Sequence, residues 1–403
     1  MRKRNEGNGP GSLTLLKDAL ENFTVKGFPA DKALNETFRK YKVKEEFRRS
    51  ELARRLSGII RFWRPIISAT GIESFSTVKE MDELVSALIA WKKITSGKPP
   101  GDVPASWKEK MTRYLSVRKM RESVPDWLDE LGVKELGEEK WNVTIRALNK
   151  EPMLFLRTNT LLCDRNKLIG ELRNAGIQAV PAAENGEGVL LEKYENVFRL
   201  AQFHEGWFEV QDISSQLVGD FCKAEPGMRV ADACAGNGGK TLHLGALMNN
   251  RGKIVAMDVS APKLAELRNR CTRAHLDTVE TRLIESGTLK KMEASFDRVL
   301  VDAPCTGSGV LRRNPDAKWR LQPEDISPLL KEQQDALENY SPLVKKNGFL
   351  IYSTCSVFPS EGEMQVQKFL SAHPGEWEKE EEMRIDPEKT GGDGFYMARL
   401  KRI

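Results

Sequence analysis

The sequence has no C-x-x-C pair, no long apolar run, few histidines and no internal repeat, and each lack removes a class of protein. Its cysteines, Cys163, Cys222, Cys234, Cys271, Cys305 and Cys355, are scattered through 403 residues. Such spacing argues against both a zinc site and a small disulfide-stapled fold, and a reducing cytoplasm is the expected setting. His204, His243, His275 and His373 show no metal-ligand spacing, so no metal is expected. A membrane helix needs about 18 apolar residues in a row, and nothing here approaches that. The opening MRKRNEGNGPGS is basic without an apolar h-region, so residues 1–11 read as a disordered tail, not a secretory signal. Surplus charge is also scarce: 63 Lys plus Arg against 58 Asp plus Glu, a net of +5. That balance barely favours nucleic acid, although the acidic run EWEKEEE at 376–382 offsets basic clusters elsewhere.

What is present suits a globular protein of two or three domains. From residue 12 the pattern is helical. Leu16, Ala19, Leu20 and Phe23 share one face, as do Leu52, Leu56, Ile59, Ile60 and Trp63 on a later helix. Opposite the later face stand Arg48, Arg49, Arg54, Arg55, Arg61 and Arg64, either a solvated stripe or a phosphate-contacting surface. Residues 97–104 (GKPPGDVP) break the pattern, which then resumes and ends before Pro152. The tryptophans at 63, 91, 107, 127 and 141 fall on helical faces and are expected in the core. Residues 12–150 are therefore expected to form an all-helical domain. Over 151–206 the period changes to a strand, a helix at 167–175 and short strands at 178–180 and 188–191, a small α+β unit. Beyond 207 strands alternate with helices, as in a parallel doubly wound sheet. The expected strands are 228–231, 253–257, 279–284, 298–301, 349–352 and 395–400.

Chemistry gathers at the ends of those strands, where open α/β sheets bind ligands. The run Val299, Leu300, Val301 stops at Asp302 and breaks into APCTGSG, placing Cys305 on a tight small-residue loop. A second thiol, Cys355, follows the strand in GFLIYSTCS. Either thiol alone could be structural; together, past hydrophobic strands, they suggest covalent catalysis. Between a strand and a helix lies DACAGNGGKT, whose glycines permit close approach of a ligand. It is not a P-loop, because G-x-x-x-x-G-K-T would need glycine where Cys234 stands. Asp258 lies 22 residues after Gly236 (258 − 236), where a ribose-binding carboxylate belongs. A ribose acid without a phosphate fingerprint suits an adenosine cofactor lacking a phosphate chain, and S-adenosylmethionine is the candidate.

DACAGNGGKT, VDAPCTGSGVLRRNPDAKW and IYSTCSVFPSEGE together resemble the cofactor loop and the two cysteine motifs of the RNA 5-methylcytosine methyltransferases, the ribosomal RNA small subunit methyltransferase B / Nop2 / Sun family. FLRTNTLL and FEVQDISSQLV extend the similarity upstream, and ADKALNETFRKY with RLSGIIRFWRPI is similar to the NusB-like RNA-binding domain of the bacterial ribosomal member. The resemblance implies a Rossmann-like methyltransferase domain over 207–403, a NusB-like domain over 12–150 and an RRM-like α+β unit over 151–206. It also implies that Cys355 attacks cytosine C6, that Cys305 serves product release, and that Asp302 and Lys240 act at the base. The implied cofactor set is Cys234, Ala235, Gly236, Asn237, Gly238, Gly239 and Lys240, with Asp258, Lys263, Glu285 and Asp302. The expected partner is RNA with an unpaired or flipped cytosine, 16S-type ribosomal RNA ahead of transfer RNA, and the chain is expected to act as a monomer without a membrane. Three departures stand out: Asn237 where relatives have proline, Glu285-Ser286 where an aspartate beside adenine is common, and EGE at 361–363 in place of ENE. Arg312, Arg313, Lys318 and Arg320 are read as phosphate contacts, and His243 as a packing or surface residue. A nucleotide-hydrolysing protein using GGKT and Asp302 is the alternative from another class, and Cys234 speaks against it.

Overall fold

The computed structural model describes residues 10–182 and 186–403, so residues 1–9 of the expected tail lie outside the described residues. The chain forms two compact units, one of Met1–Asn149 with Arg313–Pro323 and one of Lys150–Arg312 with Glu324–Ile403.

The first unit is helical, with Ser12–Thr24, Ala30–Lys40, Glu46–Arg61 and Val78–Thr95 around one core. Leu16, Leu20, Leu56, Ile60, Leu84 and Trp91 are fully buried there, as their 3.6-residue spacing requires. The helix Val78–Thr95 starts at a capping box: Thr77 accepts from the Glu80 N–H while the Glu80 carboxylate accepts from the Thr77 N–H. The arginine stripe is shorter than expected. Its helix ends at Arg61 and restarts at Trp63, and Arg61 is buried at 3% exposure.

A larger correction concerns 313–323, expected inside the 207–403 domain but packed into the helical unit. Lys318 is buried, its Nζ donating to Arg61 O at 2.9 Å and Asn149 Oδ1 at 3.2 Å, while Trp319 Nε1 donates to Ile60 O at 2.8 Å. Burial, with Arg61 beside it, pushes the Lys318 ammonium well below its ordinary pKa.

The second unit holds two sheets. Strands β1 (Leu154–Thr158), β2 (Ala179–Pro181), β3 (Gly188–Leu191) and β4 (Phe208–Val210) form an antiparallel sheet in the order β2-β3-β1-β4. The helix Arg165–Asn174 contributes Leu168, Ile169 and Leu172 to its core, and Asp164 caps it through the Lys167 N–H. Phe208–Val210, expected to open the large domain, is the edge strand of this small sheet instead.

Strands β5 (Arg229–Asp232), β6 (Lys253–Asp258), β7 (Val279–Leu283), β8 (Phe296–Asp302), β9 (Val344–Thr354), β10 (Trp377–Ile385) and β11 (Phe395–Arg402) form the large sheet, in the order β10-β11-β9-β8-β5-β6-β7. The run from β9 to β7 is parallel, whereas β11 and β10 join antiparallel. Val299, Leu300 and Val301 are fully buried, because helices cover both faces of a parallel sheet. The acidic run 376–382 lies largely within β10, a strand the pattern did not reveal. An exposed edge strand carries no hydrophobic alternation, and its charges deter pairing with another chain. Strand order reverses at β5, between β6 and β8, which opens a crevice at their carboxyl ends.

Candidate active site

Four strand ends deliver the chemistry. β5 stops at Asp232, β6 at Asp258, β8 at Asp302, and β9 runs into Cys355. Lys240, in the first turn of the helix Gly239–Leu247, donates from Nζ to Asp302 Oδ2 at 2.6 Å. Ser353 Oγ donates to the other oxygen, Oδ1, at 2.8 Å. Burial alone would lower the Lys240 pKa, but the charge and hydrogen bond of Asp302 outweigh it and the net shift is upward. The ammonium therefore keeps its proton. Asp232 is 1% exposed and accepts from Thr241 Oγ1 at 2.7 Å; burial pushes its carboxyl up to about 6.

The loop between β5 and its helix turns on Gly236 (φ 54°) and Gly238 (φ 87°). A side chain at Gly238 would also stand 2.6 Å from Leu267, so glycine is required twice over. Asp258 closes the loop from β6, accepting from Gly236 N at 2.9 Å and Ser260 N at 2.8 Å. Asn237 offers its carbonyl to Arg270 at 2.7 Å. The small sheet braces the same loop. Arg157 on β1 donates to Gly239 O at 2.7 Å and to Gln211, and Glu209 on β4 pairs with Arg270 at 2.8 Å and with Arg273. Sequence reasoning missed this brace. Its one signal was an arginine inside the apolar strand of FLRTN, where a charge is buried only with partners.

A cavity of about 120 Å³ is lined in part by Asp232, Cys234, Ala235, Gly239, Lys240 and Asp302. Gly236, Asn237, Gly238 and Asp258 form the adjoining loop and strand end. Lys263 and Glu285 are exposed and do not line the cavity. An adenosine cofactor fits these residues: each Asp258 oxygen accepts one backbone N–H, leaving lone pairs for ribose hydroxyls, and Cys234 and Ala235 add apolar lining to the cavity beside them.

The two thiols meet, with Cys305 Sγ 3.3 Å from Cys355 Sγ. The hydrogen bond to Cys355, then burial, raises the Cys305 pKa well above the ordinary thiol value, so Cys305 keeps its proton. Gly309 lets the loops touch: its N–H donates to Cys355 O at 2.9 Å, and an added Cβ would lie 2.0 Å from Gly394 O. At Gly362 a Cβ would stand 2.8 Å from the Tyr396 ring, so the middle position of EGE has little room for a side chain.

One reading is corrected. Arg312 is 2% exposed, bonded to the carbonyls of Gly391 and Pro387, and Lys318 is buried, so neither faces a phosphate. His243, read as a packing or surface residue, is the former: it is wholly buried, its Nε2 3.1 Å from Glu187 Oε2. Among the described residues no cluster of His, Cys, Asp or Glu is arranged to hold a metal ion. No helix among them is long and apolar enough to cross a membrane.

Comparison with known proteins agrees with the geometry. Residues 221–401 match the family model described as 16S rRNA methyltransferase RsmB/F. Residues 124–198 match the ferredoxin-like domain of the same family, which takes in two helices before β1. The chain is 35% identical to the probable ribosomal RNA small subunit methyltransferase B of Synechocystis sp., over 70% of this chain and 67% of that one. It is 33% identical to ribosomal RNA small subunit methyltransferase B of Photorhabdus laumondii, over 69% of this chain and 66% of that one. The crystal structure of PH0851 superposes with a TM-score of 0.78 at 26% identity, covering 97% of this chain and 98% of the other. Fold, strand-end site and relatives agree: the chain belongs to the 16S rRNA methyltransferase RsmB/F family and has the Rossmann-like fold of S-adenosylmethionine-dependent methyltransferases, with S-adenosylmethionine as cofactor.

Proposed function

We propose that this chain methylates C5 of an unpaired cytosine in small-subunit ribosomal RNA through a transient bond between Cys355 and C6. The observation that carries the reading is the pair of sulfurs 3.3 Å apart beside the Lys240–Asp302 ion pair. Cytosine C5 is a weak nucleophile. Addition of a thiolate at C6 turns the C5–C6 double bond into an enamine whose C5 attacks an electrophilic carbon. S-adenosylmethionine, held by the loop 234–240 and Asp258, would supply that carbon as a methyl on a sulfonium, whose S–CH3 bond breaks to leave a neutral thioether. Asp302, held by Lys240 and Ser353, accepts from the exocyclic amine of the base and orients its ring. The C5 proton is then lost to water and the Cys355 thiolate is expelled. Cys305, still a thiol, hydrogen-bonds the departing sulfur and favours release. A base inside a duplex cannot reach this crevice, so the target is single-stranded or flipped.

The division of labour has a direct test. Cys355→Ala abolishes methyl transfer while S-adenosylmethionine still binds. Cys305→Ala accumulates an enzyme–RNA adduct that survives denaturing electrophoresis. Bisulfite mapping of ribosomal and transfer RNA from cells with and without the protein locates the base. A Cys305 variant that turns over normally and leaves no adduct would refute the scheme.

A further inference from the structure

We propose that Glu361 is a positioning residue for both cysteines: one buried carboxylate that fixes the two sulfur-bearing loops at their working separation. The inference rests on the two-thiol reading above. Glu361 is 1% exposed, and all its hydrogen-bond donors are neutral. Oε1 accepts from the Thr306 N–H at 2.8 Å and from Gln333 Nε2 at 2.9 Å. Oε2 accepts from Thr306 Oγ1 at 2.6 Å and from Ser356 Oγ. Thr306 directly follows Cys305, and Ser356 directly follows Cys355. Gln333 donates to Pro304 O as well, at 2.9 Å, so the residues on either side of Cys305 are held.

Glu361 is itself anchored to the strand that carries the second thiol. Its carbonyl accepts from Tyr352 Oη at 2.9 Å and Thr354 Oγ1 at 3.3 Å, both on β9. The Cys305 loop is thereby indexed against β9 through a single side chain. Covalent addition and release depend on sulfur placement, and a misplacement near 1 Å costs about a hundredfold in rate.

The donors also say what glutamate supplies. Oε1 faces two N–H groups, which cannot reverse, whereas Oε2 faces two hydroxyls, which can either donate or accept. Glutamine with its oxygen at the first place and its amide at the second keeps all four contacts, the two hydroxyls then accepting instead of donating. Alanine leaves buried donors unpaired and the loops untied. Geometry, not charge, is the requirement.

Two readouts test this on the full chain. In the absence of RNA and cofactor, diamide takes two protons and two electrons from the thiols, and the rate of Cys305–Cys355 disulfide formation reports sulfur spacing. With RNA and S-adenosylmethionine present, kcat and KM are measured separately. Glu361→Gln is expected to crosslink and turn over within about threefold of the native chain, and Glu361→Ala to lose about tenfold in crosslinking and about a hundredfold in kcat, with KM for both substrates nearly unchanged. If Glu361→Ala does not fold, the Thr306→Val/Ser356→Ala pair, which removes the two hydroxyl ties, is read the same way. Native crosslinking and native kcat in a folded Glu361→Ala chain, or loss in Glu361→Gln equal to that in alanine, overturns the proposal. Because crosslinking needs no RNA, a native chain that crosslinks but never methylates cytosine overturns the functional reading alone, and the variant rates still decide the role of Glu361.

Discussion

Asp232 shows how one side chain at a strand end is paid for by the surrounding fold. Its carboxyl is buried and pushed up to about 6, against an ordinary value near 3.8. A carboxyl with a raised folded-state pKa holds its proton more tightly in the native chain than in the unfolded one. Its favourable contribution is therefore complete below about pH 4 and is lost as pH rises through about 6, a span of about 3 kcal/mol. Asp232→Asn removes the titration while keeping an acceptor for Thr241. The stability of the native chain relative to this variant is expected to fall by up to about 3 kcal/mol between pH 4 and pH 7, read by denaturant melts at several pH values. Parallel pH profiles would sink this account. At this scale the sequence was partly legible. Asp302, Cys305 and Cys355 stand out because each follows an apolar run, where the chain leaves the sheet. Glu361 did not, because its importance lies in neutral partners at 304–306, 333 and 356, which no local pattern brings together.

At the scale of elements, the cofactor loop is shaped from outside its own strand and helix. Arg157 on β1 and Arg270 beyond β6 grip the carbonyls of Gly239 and Asn237, and Glu209 on β4 secures Arg270. Burial lowers the Arg157 pKa to about 10, which still leaves it charged at neutral pH. Arg157→Met removes a charge-assisted bond to the first turn of the helix and releases the loop. S-adenosylmethionine affinity is expected to fall about tenfold, corresponding to about 1.4 kcal/mol, by isothermal titration calorimetry. An unchanged Kd would show that the small sheet does not shape the cofactor site. The loop itself was legible from its glycines and the Asp258 spacing, but the brace was not. It joins β1, β4 and the helix Ala261–Arg273, and depends on tertiary approach alone. Strand β10 escaped notice for a related reason: its exposed, charged edge carries no alternation for a period-based reading to find.

At the scale of the whole molecule, chain order and thermodynamic membership part company at 313–323. These residues follow the Cys305 loop, yet their partners are Ile60, Arg61, Glu122 and Asn149 in the helical unit. A domain boundary drawn on sequence could not place them, since the acceptors for Lys318 are two backbone carbonyls and one amide, groups that composition does not mark. Lys318→Met replaces the ammonium with an apolar end of similar length. It leaves Arg61 O, Glu122 O and Asn149 Oδ1 short of a donor in a buried place, at a cost of about 3 kcal/mol. Hydrogen exchange on the full chain separates the alternatives. If the segment belongs energetically to the helical unit, amides of Ser12–Thr24, Glu46–Arg61 and Val78–Thr95 lose protection by about a hundredfold, while those of β5, β6, β8 and β9 keep theirs. Loss concentrated instead in β8 and β9 would return the segment to the methyltransferase domain and restore the boundary that the sequence suggested.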